Sequence, residues 1–345
     1  MTEKKRVIAL GFFDGVHIGH AALMRKALEI GEDKDLVPSV ITFDAHPQSL
    51  VSGENVPLIN SPEDRAGLIR RMFGVDEIIF LHFDRETARM PWDSFIHHLT
   101  SEFGARYLVA GHDFKFGCGG RGNSDLLTEM CGELGLGCEI IPEVMLDGVV
   151  SSSTYIRDLI SAGDVERANA FLGHPHVLTD IVRYGYRLGR TLGTPTINMC
   201  FGADVIVPAF GVYATKVYLG DAETGGADTG ERFDTGGRFS CVSLLTQEDC
   251  PPVSHVQENR PLVTANCASG YAGVTNIGVR PTVGDSGRIN AETHILDYDG
   301  HLYGHQVRIE FHSRMRPEMK FNDKNELKAQ IHKDCGQARA FFARR

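Results

Sequence analysis

The chain reads as two domains of different class: an N-terminal α/β domain on a doubly wound parallel sheet, then a small antiparallel β-barrel or sandwich closed by a C-terminal helix. Three observations point there. Its 345 residues are more than one hydrophobic core normally serves, which favours two domains of ordinary size. Through the first part of the chain, short apolar runs recur roughly every 30 residues with helix-like segments between them, the signature of βαβ units. Past the middle, apolar and polar residues alternate between turn residues, as they do in antiparallel sheets.

Taken in order, the strand candidates of the first half are RVIALGFF, LVPSVITF, EIIFLHF, RYLVAG and CEIIPEV. Crossover helices are predicted at 20–30, 62–73 and 93–103, where apolar residues fall three and four apart. Two short helices follow between Ser151 and Leu172. Gly173 and Pro175 stop the second of them, so the domains are drawn as 1–176 and 177–345. The second half offers HVLTDIVRYGYRL, TINMC, GVYATKVYL, YAGVTNIGV, ETHILDY and QVRIEF as strands. A last helix starts at Asp323, with Glu326 placed for a capping box, and carries Leu327, Ile331, Cys335, Ala338 and Phe342 as its apolar stripe. Residues 220–237 are rich in Gly, Asp and Thr and poor in anything to bury, which predicts a mobile loop. No internal repeat is visible.

Composition narrows the function classes. With 42% hydrophobic and 23% charged residues the chain has the make-up of a soluble globular protein, and no run of about 18 apolar residues is present to span a bilayer. The N-terminal MTEKKRVIALGFFDG is interrupted by glycines and Asp14 before a signal core is complete, and reads as the first strand of a cytoplasmic protein. Cysteines scattered without a CxxC pair predict free thiols and argue against zinc. A formal net charge of -10 without a long basic run argues against a nucleic-acid partner. An anionic ligand must therefore be held by local chemistry.

The strongest local signal is GFFDGVHIGH (Gly11 to His20), running from the end of the first strand into a helix. Its glycines let backbone approach a ligand, and the helix N-terminus offers N–H groups to phosphate. His17 and His20, three apart, present their imidazoles to one side of the first turn. There they can donate to phosphate oxygens as charge develops during displacement at an α-phosphorus. A plain helix cap with two surface histidines is the competing reading. It weakens against three further segments in order: TFDAHP (42–47), GHDFKFGCGGRGN (111–123) and SSTYIRDLI (152–160). The set resembles the nucleotidylyltransferase superfamily with its HxGH motif, and within it the bacterial FAD synthetases, with their TFDPHP, G-x-DFRFG-x-x-x-x-GD and SSTRIR. Ala45 departs from Pro, Lys115 from Arg, Asn123 from Asp and Tyr155 from Arg. The resemblance implies a Rossmann-like adenylyltransferase domain, with His17, His20, Thr154 and Arg157 catalytic and the last two at the leaving pyrophosphate. It further implies Gly11, Phe13, Asp14, Gly15, Gly19 and Ser153 at the nucleotide, and Asp113 and Phe114 at the flavin.

The second half carries GRTLGTPTIN (189–198), VPAFGVYA (207–214), GVTNIGVRPT (273–282) and ETHILDYDGHLYGHQVRIEF (292–311). In order, these resemble the GR-x-LGFPTAN, LP-x-x-GVYA, GVANIG-x-RPT and E-x-HLLDF-x-GDLYG segments of riboflavin kinases, with Thr194 for Phe and Ile197 for Ala. The resemblance implies a barrel in which Gly189 and Thr196 contact nucleotide and Glu292 is the catalytic base for the ribityl hydroxyl. Thr196 and Asn198, two apart at a strand start, share a face and can offer neutral oxygens to Mg²⁺. Residues 221–269 exceed the short connection that family has there, and are expected to be an insertion outside both active sites.

Over nearly the whole chain the resemblance is to bifunctional bacterial riboflavin kinase/FAD synthetases. It implies ATP-dependent conversion of riboflavin to FMN and of FMN to FAD, with Mg²⁺ serving both steps and no nucleic-acid or membrane partner. Tyr155 and Thr194 leave open a single-activity FAD synthetase with a degenerate kinase domain. A non-catalytic flavin-binding protein on the same scaffold is the other alternative.

Overall fold

The computed structural model describes residues 4–344 apart from 47–48, 50–52, 54, 185–193, 221–269 and 280–288. The expected insertion, nearly all of the expected mobile loop, Gly189 and the RPT turn lie outside the described residues.

Strands β1 (Arg6–Leu10), β2 (Val37–Phe43), β3 (Glu77–Leu81), β4 (Ala105–Gly111) and β5 (Gly137–Ile141) form one parallel sheet in the order β3-β2-β1-β4-β5. Central β1 is apolar from Val7 to Leu10 because both of its faces are covered. Val7 and Ala9 pack with Leu23 and Met24 of α1 (Ile18–Lys34) and with Leu68 and Ile69 of α2 (Pro62–Phe73). Ile8 and Leu10 face the other way, toward Ile96 and Leu99 of α3 (Trp92–Ser101) and Leu127 of α4 (Ser124–Glu133). The sheet is doubly wound. Its strand order reverses between β1 and β4, and a crevice at the carboxyl ends of two such strands is where open α/β sheets bind ligands. The Gly11–His20 segment leaves β1 at that point.

A hairpin of β6 (Met145–Leu146) and β7 (Val149–Val150), absent from the sequence-based expectation, precedes α5 (Ser153–Ala162) and α6 (Val165–Leu172). Ser152 and Asp164 cap these two helices, and Gly163 and Gly173 end them in the left-handed conformation. Six antiparallel strands follow: β8 (His176–Ile181), β9 (Ile197–Cys200), β10 (Gly211–Leu219), β11 (Tyr271–Val279), β12 (Ile289–Ile295) and β13 (Gln306–Arg316). Their order is β8-β13-β10-β11-β12-β9. A bridge between Arg183 and Asn198 brings the two edges together, so the barrel is nearly closed. Met199, Tyr213, Val217, Ile277, Ala291, Ile309 and Phe311 fill its interior.

Helix α7 (Lys324–Ala343) covers one side of the barrel, with Cys335 and Ala338 buried against Val212, Ala214 and Val274. Ile331 and Phe342 pack on the same cluster, while Leu327 is half-buried. Asp323 accepts from the amides of Asn325 and Glu326, as a cap should. The return bond differs from the expected box: the Glu326 carboxylate reaches the amide of Asn322, one residue back, because the chain enters the helix through Asn322.

The two sheets meet through a short parallel bridge in which the Leu58 amide donates to Asp204 O at 2.6 Å and the Ile206 amide donates to Leu58 O at 2.7 Å. Ile59, Ile156, Ile160 and Ile206 share one small core beneath it.

Arg316 donates to Asp334 through Nε and Nη2, the latter at 2.8 Å, and the Asp334 side chain is 2% exposed. Removing one partner of a buried pair leaves an uncompensated charge, so Asp334→Ala is expected to lower unfolding free energy by about 3 kcal/mol in urea denaturation. A midpoint equal to the parent's would show that the pair does not hold α7.

Candidate active sites

His17 is the N-cap of α1, and its ring folds over Gly19. The Nδ1 atom accepts from the amides of Gly19 at 3.1 Å and His20 at 3.4 Å. A side chain at residue 19 would meet the His17 ring at 2.9 Å, which is the reason for glycine there. Two of the helix N-terminal amides, a group expected to face phosphate, are thus capped by His17 itself, and Nε2 is the nitrogen left to point at a ligand. The ring of His20 stacks on that of His17, with centroids 3.6 Å apart, so the two imidazoles do lie together as their spacing predicts. Phe13 meets His20 edge-on. Phe13, Gly15 and Val16 all have positive φ, the twist that turns β1 into α1. Gly11 and Gly15 lie in the same turn, where a side chain would press on Phe13 and Ile59 respectively.

Asp14 is 1% exposed. Its Oδ1 accepts from the amides of Ile59 and Asn60, its Oδ2 pairs with Arg157 Nη2 at 2.8 Å, and its backbone oxygen accepts from Ser153 Oγ. Both carboxylate oxygens are engaged within the protein, which makes Asp14 and Ser153 anchors of the site. Arg157 also approaches His46 Nε2 at 3.4 Å. Thr154 sits exposed in the first turn of α5. Asp113 and Phe114 follow β4, Asp113 exposed and Phe114 stacked on Phe116. Among the described residues, no hydrogen bond or ring contact joins either of them to the histidines. Tyr155, at the position where the resemblance has Arg, turns away toward α6: its hydroxyl accepts from Arg167 Nε and its ring meets Phe171. The departure at Asn123 is also absorbed, since its side chain caps α4 as an aspartate would.

Burial sets the protonation of this cluster. His17 is pushed down to about 3, first by desolvation, then by His174 and Arg157. Its cap bonds agree, because a protonated Nδ1 cannot accept. His20 is lowered well below its ordinary value by burial, then by His17 and Arg65. Both rings are neutral at physiological pH. His174 has ring nitrogens facing Pro175 O and Gly15 O; those bonds favour the charged form, yet burial outweighs them and its pKa falls.

In the barrel, β9 and β12 place Asn198 opposite Glu292 and Cys200 opposite Asn290. Strand alternation turns Ile197, Met199, Ala291 and Thr293 inward and Thr196, Asn198, Asn290 and Glu292 to the other face. Asn290 Nδ2 donates to Asn198 Oδ1 at 2.9 Å and to Glu292 Oε1 at 3.3 Å. Thr196 lines a cleft with Tyr298, His301 and Tyr303.

Sequence reasoning missed His46, Asn60, Arg65, His174 and Asn290. Arg65 had a signal: it lies one turn before Leu68 and Ile69, inside the apolar stripe of α2. Asn290 precedes Glu292 by two on a strand and so shares its face.

The FAD synthetase family model matches residues 1–155 and the riboflavin kinase family model residues 172–342. The chain is 30% identical to the bifunctional riboflavin kinase/FMN adenylyltransferase of Listeria monocytogenes, over 99% of this chain and 94% of that one. It belongs to that bifunctional family. The Bacillus subtilis member is 31% identical with the same coverage, and that of Escherichia coli K12 is 31% identical over 97% of this chain and 92% of its own. A solved structure described as a macrolide-efflux protein from Streptococcus pneumoniae superposes with a TM-score of 0.75 at 24% identity, covering 98% of this chain and 95% of that one. This last likeness speaks for the fold alone.

The depressed histidines give a pH dependence. His17 and His176 titrate at about 3 in the fold, lowered first by burial, and near 6.5 when unfolded. The unfolded chain therefore binds more protons below pH 6.5, and this source of stability is lost as pH falls from 6.5 toward 3 and is constant above. Urea midpoints are expected to be lower at pH 5 than at pH 7.5. Equal midpoints would contradict neutral burial.

Proposed function

We propose that the C-terminal barrel phosphorylates riboflavin with ATP to FMN, and that the N-terminal domain adenylylates FMN with a second ATP to FAD. The observation that carries the second step is the stacked, neutral His17–His20 pair beside Arg157 at the carboxyl end of β1. In adenylyl transfer a phosphate oxygen of FMN attacks the α-phosphorus of ATP, and the bond to the leaving pyrophosphate breaks. The Nε2–H of His17 and the ring N–H of neutral His20 can donate to the α-phosphate oxygens as charge gathers there, without forming a covalent intermediate. Arg157, held by Asp14, faces the pyrophosphate with Thr154. Asp113 and Phe114, at the end of the neighbouring strand, are assigned to the flavin. The division drawn at 176/177 falls just after His176, the first residue of β8, and assigns the rest of that strand to the kinase.

In the barrel Glu292 accepts the proton of the ribityl 5′-hydroxyl as that oxygen attacks the γ-phosphorus and ADP leaves. Asn290 holds the Glu292 carboxylate and the Asn198 amide in one orientation. The donor set of Thr196 hydroxyl, Asn198 amide oxygen and nearby carboxylate is all hard oxygen, which fits Mg²⁺. Thr196 and Asn198 would hold the ion, which when bound offsets charge on the transferring phosphates.

Chromatography of flavins after incubation with riboflavin, ATP and Mg²⁺ tests the whole reading: FMN and then FAD should accumulate, and absence of either product removes one activity. His17→Ala and His20→Ala are each expected to lower FAD formation about 100-fold or more while FMN formation stays at the parental rate. Normal FAD synthesis by the double variant would overturn the assignment. Glu292→Gln keeps shape and loses basicity, so it should stop riboflavin phosphorylation while added FMN is still converted to FAD. FMN production by that variant at the parental rate would mean that another group takes the proton.

A further inference from the structure

Beneath the Gly11–His20 turn lies a cation that none of the family-resembling motifs contains. Arg65 of α2 is 0% exposed and is among the largest fully buried side chains in the protein. Its Nη1 donates to three acceptors, Phe12 O at 3.0 Å, Thr42 Oγ1 at 3.0 Å and Phe43 O at 2.8 Å. Thr42 Oγ1 in turn donates to Phe12 O at 2.7 Å. One nitrogen thus ties the carboxyl end of β1 to that of β2, the two strand ends from which the Gly11–His20 and TFDAHP segments depart. The guanidinium carbon also lies 4.4 Å from the centroid of the Phe12 ring, whose other contact is His46 at 4.8 Å.

Buried charges are normally paired, because desolvating an unpaired ion costs several kcal/mol. Among the described residues no carboxylate forms a salt bridge with Arg65, and its Nε and Nη2 are buried without a hydrogen-bond partner. By contrast, Arg157 is neutralised by Asp14, and the two histidines carry no charge. Among the described residues, Arg65 therefore sits directly under the site with no carboxylate in contact with it. Its charge is felt there, since Arg65 contributes to the lowering of both His20 and His46. Burial lowers its own pKa to about 10 against the opposing pull of the Asp14, Glu63 and Asp44 carboxylates, none of which touches it, so it remains a cation.

We propose that Arg65 is a positioning residue for adenylyl transfer, clamping the two phosphate-site loops and supplying a buried, unpaired positive charge to the anionic phosphates that react above it. It acts through Phe12 and the loop backbones and does not touch substrate. The inference rests on the reading of this site as the adenylyl-transfer centre.

Three variants of the full chain separate clamp from charge. Lysine has three donors for the three acceptors and keeps the charge, glutamine can hydrogen-bond but is neutral, and methionine does neither. For each, FAD formation from FMN is measured with kcat and KM resolved, and FMN formation from riboflavin in the same preparation reports folding. Arg65→Gln and Arg65→Met should lose about 100-fold in kcat for FAD, with KM for ATP and FMN little changed, because charge acting on the transition state moves kcat. Arg65→Lys should stay within about tenfold of the parent, and FMN formation should be parental in all three. Parental kcat in Arg65→Gln overturns the proposal, as does an Arg65→Lys no better than Gln. Parallel loss of FMN formation would make the residue merely structural and also overturns it. A parent chain that forms no FAD is a different result, which removes the adenylyl-transfer reading itself.

Discussion

Asp14 is the meeting point of three segments far apart in the chain: its own turn after β1, residues 59–60 and helix α5. Through Oδ1 it holds the amides of Ile59 and Asn60, through Oδ2 it holds Arg157, and through its backbone oxygen it receives Ser153 at the start of α5. Leu58, next to those amides, pairs with the Asp204–Ile206 stretch that leads into the barrel. Each bond to a buried carboxylate contributes of the order of 1.5–3 kcal/mol, and leaving it unmade costs more. The position of Arg157 beside the histidines, and the seating of the barrel against the α/β sheet, are therefore coupled through one side chain.

Desolvation first, then His174 and Arg157 beside His17, and His17 and Arg65 beside His20, keep both rings unprotonated, and the cap bonds to Nδ1 fix the tautomer of His17. His17 spends Nδ1 on the helix cap and is left with one donor direction. The barrel uses a different solution, with a carboxylate and neutral amide oxygens on one strand face and Asn290 bridging them. In the proposed reading, phosphoryl transfer at one centre and adenylyl transfer at the other draw on unrelated donor sets.

Much of this was legible in the sequence, and for local reasons. Strands buried on both faces, such as β1, read as unbroken apolar runs, and the period-two pattern of β10 to β13 reads as a half-buried antiparallel sheet. The histidine pair followed from its spacing, although the capping role of His17 did not, because it depends on a ring folding back over Gly19. What could not be read is long-range. Asn60 and His174 look like loop polar residues until the fold brings them to Asp14 and Gly15. Arg65 looks like one of several charges on a helix unless its place within the apolar stripe is noticed. The hairpin β6–β7 has only two residues per strand, too few for any periodicity.

The coupling through Asp14 is open to a direct measurement. Asp14→Asn preserves the shape and can still accept from Ile59 and Asn60, but turns an amide toward Arg157 in place of the paired oxygen. FMN formation and FAD formation are measured in the same purified full-length variant. If Asp14 places Arg157, FAD formation falls about 100-fold, the scale of a lost transition-state donor, while FMN formation is unchanged. FAD formation at the parental rate in that variant would contradict the account.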